Sequence, residues 1–129
     1  MIHIKKFILN ILKDNIDPDI KYTTGKQNED IEKSIFISNK DSDNKNKLYN
    51  PTFFTQELSL ILNWNDNYTE TREVALEIYE YIEDIENVLY DENTLIVRCV
   101  MHNDFPSDIN SNKKIYSQKI DFQLQYCTK

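Results

Sequence analysis

Between Gln56 and Asn87 the apolar residues of this chain change their period. Leu58, Leu60 and Leu62 alternate with Glu57, Ser59 and Asn63 and end at Trp64, after which Val74, Ile78, Ile82 and Ile85 recur at three- and four-residue steps. Period two belongs to a strand with one buried face, and the wider spacing to a helix with one buried stripe. The stretch therefore predicts a strand, a polar turn at Asn65, Asp66 and Asn67, and a long helix running to about Glu86. Asn67 suits the N-cap, and Glu70 three residues on suits a capping box. Neither the strand nor the helix can bury its apolar side alone, so the remaining elements must complete their core.

The elements before and after follow the same two periods. Ile4, Phe7, Ile8, Ile11 and Leu12 place an amphipathic helix over residues 2–16, closed at Asp17-Pro18. Its lysines interrupt the apolar run, which reads as a core-packing helix rather than a signal peptide or membrane anchor. Short strands are predicted at 20–24 and 34–38, and a solvated loop at 39–47. The third strand, 53–64, puts Phe54, Leu58, Leu60, Leu62 and Trp64 on one face, leaving the other mostly wet. Leu95 to Met101 is the fourth strand, with Leu95, Val97, Cys99 and Met101 on one side. After a long loop, 102–114, comes the cleanest alternation of all: Tyr116, Ile120, Phe122, Leu124 and Tyr126 against Ser117, Lys119, Asp121, Gln123 and Gln125. The last two strands are expected to pair antiparallel. The order α-β-β-β-α-β-β predicts an α+β fold: a single mostly antiparallel β-sheet of about five strands with two helices packed on one face, as one domain over residues 1–129.

Charge and composition narrow the function. The net charge of −7 argues against phosphate-neutralising nucleic-acid binding and against docking on anionic membranes. The second helix region carries Glu70, Glu73, Glu77, Glu80, Glu83, Asp84 and Glu86 against Arg72 alone, so it holds most of that charge. A single glycine, Gly25, is incompatible with Gly-rich phosphate loops and hydrolase elbows. His3 and His102 lack Cys or His partners at ligand spacing, and no serine sits in a nucleophile motif. Cys99 and Cys127 are expected to be two thiols. No metal, cofactor or catalytic residue is expected; the reading is a non-enzymatic structural or interaction protein.

A family resemblance gives that reading content. The strand ending in LNWN, the polar turn, the helix NYTETREVALEIYEYI and the closing strand KKIYSQKIDFQLQYCTK resemble the minor capsid and tail terminator family of long-tailed phages, or of phage-tail-like particles. The resemblance implies a structural virion protein of the tail and neck, assembled in the host cytoplasm. Its partners would be itself, as a ring that is commonly a hexamer, the tail tube protein and the neck or head–tail connector protein. DNA would be only passing, non-specific cargo, and no membrane partner is implied. The expected oligomer or partner contacts are Tyr49, Phe53, Phe105, Pro106 and Ile109. The expected acidic face, past which DNA would slide, is Glu73, Glu77, Glu80 and Asp121. The competing class is a small acidic binding module, of the immunity or anti-restriction kind, that masks a basic protein surface.

Overall fold

The computed structural model describes residues 4–16, 21–23, 33–39, 53–109 and 115–128; Tyr49 and the polar run 40–47 lie outside these. The elements are α1 (Ile4–Asn15), β1 (Lys21–Thr23), β2 (Ser34–Asn39), β3 (Phe53–Asn63), α2 (Tyr68–Glu83), β4 (Glu86–Leu89), β5 (Thr94–Met101), β6 (Ser107–Ile109) and β7 (Ser117–Thr128). The fold is α+β, with one mostly antiparallel sheet. Its strands run β1-β2-β3-β7-β5-β4, and β6 pairs with the early part of β7. Among the described residues only the β1–β2 pair is parallel.

Register follows the apolar rows. Leu58 lies opposite Phe122 and Leu60 opposite Ile120, while Ile35 and Ile37 of β2 face Leu62 and Leu60. A slip by one residue would turn every one of these side chains to the other face. Both helices close the same side. Ile8, Leu9 and Leu12 of α1 and Ala75, Ile78 and Ile82 of α2 join the strand residues in a single buried cluster. The stacked rings of Phe54 and Tyr126, 5.3 Å apart, continue that row toward the start of β3 and the end of β7.

Two short strands join the five that were expected. β4 forms where the sequence suggested only an exit from the helix, and β6 forms inside the expected loop. The helix accordingly ends at Glu83 rather than near Glu86: the Asp84 N–H donates to the Glu80 carbonyl over 3.0 Å and the Ile85 N–H to the Ile82 carbonyl over 3.1 Å. Asn87 then takes a left-handed φ of 53°, a conformation that asparagine accepts more readily than most residues other than glycine.

β5 departs from simple alternation. Its register against β7 shifts between Ile96 and Arg98. Ile96 is buried opposite Tyr126, yet Cys99 is buried too, opposite Leu124. A bulge moves the buried parity from even to odd, so Ile96 belongs with the core although strict alternation assigned it to the other side.

The face turned from the helices is also drier than expected at one end. Asn63 is buried and bridges β2 to β7: its Nδ2 donates to Ser34 Oγ over 3.3 Å, and its Oδ1 accepts from Ser117 Oγ over 2.7 Å. Buried polar groups persist where they are paired, and both ends of this amide are.

Candidate functional site

The polar turn between β3 and α2 places the most elaborate surface of the described residues. Asn65 Oδ1 accepts from the Asn67 N–H over 2.9 Å, and Asn67 Oδ1 in turn accepts from the Glu70 N–H over 3.0 Å. Asn67 is thus the N-cap, as its spacing predicts. The reciprocal half of the capping box is absent. Glu70 instead accepts from the Trp64 indole N–H over 3.0 Å and from Asn65 Nδ2 over 3.2 Å. The carboxylate ties the helix start back to the strand that precedes it.

One turn of helix brings Tyr68 and Arg72 onto the same stripe. Tyr68 donates its phenolic proton to Asp108 of β6, with both carboxylate oxygens 3.1 Å away. That carboxylate holds the Tyr68 phenol above its ordinary pKa. Arg72 Nη1 donates to the Pro106 carbonyl and, over 2.7 Å, to Gln118 Oε1. Gln118 Nε2 donates to Asp108. The guanidinium lies 6.0 Å from the centre of the Phe105 ring, and the rings of Tyr68 and Tyr116 meet edge to face at 5.3 Å. Helix start, β5–β6 loop, β6 and the start of β7 are therefore locked together at one corner.

The expected contact residues do not share one place. Phe105 is exposed at this corner, and Ile109 is half-buried beside it on β6. Pro106 is buried, with its carbonyl occupied by Arg72, so it is not a surface contact. Phe53 is half-buried at the far end of β3, opposite Cys127. Tyr49 lies outside the described residues.

The acidic residues divide in the same way. Glu73, Glu77 and Glu80 are all exposed on α2. Asp121 sits opposite Ser59 on the sheet face turned away from the helices, and lies 3.9 Å from Lys119. The three glutamates form one surface; Asp121 belongs to another, because alternation along β7 sends it to the opposite side from Phe122.

On that second face polar side chains link three strands. His102 contacts Glu57 through Nε2, and Glu57 also accepts from Gln123 over 2.8 Å. Gln125 donates to Gln123 over 2.8 Å, and Arg98 donates to Gln125 over 2.9 Å. The links run across strands from Glu57 to Gln123 and from Arg98 to Gln125, and along β7 between Gln125 and Gln123. Cys99 and Cys127 are free thiols on opposite faces of the sheet. Among the described residues no three His, Cys, Asp or Glu side chains come together as a metal-binding set. No helix among them is long and apolar enough to cross a membrane.

No protein-family model matches the sequence. No curated protein matches it significantly.

The corner around Arg72 was only partly legible beforehand. Phe105 stands out as an aromatic in a polar loop, and Tyr68 follows the N-cap. Gln118 and Asp108 carry no periodic signal: their importance comes from β6 folding back beside β7, which loop composition does not announce.

Proposed function

We propose that the chain is a structural subunit of a long-tailed phage or phage-tail-like particle, a tail terminator that caps the tube as a ring and joins it to the neck. One observation carries the reading beyond the motif resemblance. Among the described residues the helices cover one side of the sheet only, and its β4 edge ends in Leu89, which is 72% exposed. An exposed edge strand with an apolar side chain is a template for pairing with another chain, and head-to-tail contacts that close generate rings. The exposed Glu73, Glu77 and Glu80 surface suits a lumen wall that DNA passes without adhering.

The test is to mix the purified chain with terminator-free tail tubes, image the mixture by negative stain, and measure subunit number by native mass spectrometry. A ring of density at one end of each tube is the expected result, lost in Leu89→Lys. Bare tubes with the unmodified chain overturn the reading. The same exposed acids favour, as a second reading, an acidic module that masks a basic protein; such a module stays monomeric or dimeric and ignores tubes.

A further inference from the structure

We propose that the corner built on Tyr68, Phe105 and Tyr116 docks a protein segment that is both basic and apolar. The inference goes beyond the ring reading and holds whichever assembly the chain joins. Six large apolar or aromatic side chains are exposed among the described residues, and Tyr68, Leu76, Phe105 and Tyr116 are four of them, from 37% to 59% exposed. They are gathered rather than scattered. Tyr68 and Leu76 flank Arg72 at successive helical turns, Phe105 lies against the Arg72 guanidinium, and Tyr116 packs its ring on Tyr68. Isolated exposed apolar residues need no explanation, whereas a contiguous group marks a binding surface.

The corner is also held rigid before any partner arrives. Tyr68 is tied through its hydroxyl to Asp108, and Arg72 fastens the loop bearing Phe105 through the Pro106 carbonyl. Tyr116 is pinned by its own backbone: its N–H donates to the Asn65 carbonyl over 2.8 Å, and its carbonyl accepts from the Trp64 N–H over 3.1 Å. Rings immobilised in advance lose little entropy on binding, and tyrosine and arginine are the residues on which interface energy concentrates.

Charge selects the occupant. Glu73 and Glu77 border the corner on α2, and Asp104 and Asp108 border it on the loop and β6; all four are exposed. The cation at the centre, Arg72, already gives one nitrogen to two protein acceptors. An acidic partner would meet four carboxylates, while a lysine or arginine would find carboxylates at the rim and ring faces between them. Apolar side chains of the same segment would cover the rings.

The probe is a set of three short synthetic peptides of equal length, one built of Lys and Leu, one of Lys and Ser and one of Glu and Leu, titrated into the isotope-labelled full chain. Backbone amide shifts are the readout. The Lys–Leu peptide is expected to saturate and to shift amides of residues 68–76, 104–109 and 115–118 first. Phe105→Ala should weaken it about tenfold, with the remaining amide spectrum unchanged. Glu73→Lys with Asp104→Lys should weaken it similarly. Equal binding of the Lys–Ser peptide would reduce the effect to bulk charge and overturn the proposal. So would binding of the Glu–Leu peptide, shifts centred elsewhere on the molecule, failure to saturate, or concentration-dependent shifts at this corner without peptide, which would make a second copy the occupant.

Discussion

Cys99 and Cys127 show how far a single side chain's surroundings set its chemistry. Cys99 is buried among core residues, and burial pushes its thiol up to about 12 from an ordinary 9.0. Cys127 is only half-buried, opposite Phe53 on the other face. At pH 8 iodoacetamide should label Cys127 in the folded protein and reach Cys99 only after denaturation, as peptide mass spectrometry would report. The linkage has a definite sign. Above about pH 9 the unfolded thiol ionises while the folded one does not, so the unfolded state binds fewer protons and stability falls as pH rises from there toward 12. Replacing Cys99 with alanine should remove that part of the alkaline slope. Alternation put Cys99 on one side of its strand with Leu95, Val97 and Met101. The buried side instead begins at Ile96, and the bulge is what brings Cys99 onto it.

The turn into α2 is the element in which local chemistry was most readable. Spacing alone identified Asn67 as the N-cap, and its side chain does accept from the Glu70 N–H. Asn67→Ala should cost about 1 kcal/mol, measured as a lower denaturant midpoint with an unchanged slope. Glu70 was equally visible as a capping-box partner, yet it bonds Trp64 and Asn65 instead. The reason is tertiary: Asn65 already satisfies the Asn67 N–H, which frees the carboxylate for the indole. Short strands were the least readable elements. β4 and β6 have four and three residues, too few for a period to show, and each exists because a longer strand offers it an edge. The Arg72 corner was hidden for the same reason, since β6 is what carries Asp108 to Tyr68.

For the whole molecule, one apolar cluster includes residues from both helices and from β2, β3, β5 and β7. A single shared core implies a single cooperative transition. Phe122 is fully buried in the central strand, and Phe122→Ala should cost roughly 3–5 kcal/mol. Trp64 fluorescence and far-ultraviolet circular dichroism should move to the same lower midpoint together; separated midpoints would show that the helices and the sheet do not share a core. The architecture was legible at this scale because the long strands and α2 repeat their periods many times. Apart from the antiparallel pairing of β5 with β7, which was expected and is present, strand order was not, since pairing across the sheet is decided by which apolar rows match in three dimensions.

That order has a consequence for how the chain comes into being. β7, the last strand in the sequence, lies between β3 and β5 and pairs with both. During synthesis the two halves of the sheet emerge first, each showing an open row of backbone donors and acceptors, and neither can complete its core until residues 117–128 follow. The nascent protein is held in a waiting state, its stickiest edges bare, and the closing strand works as a zip drawn up last between two prepared sides.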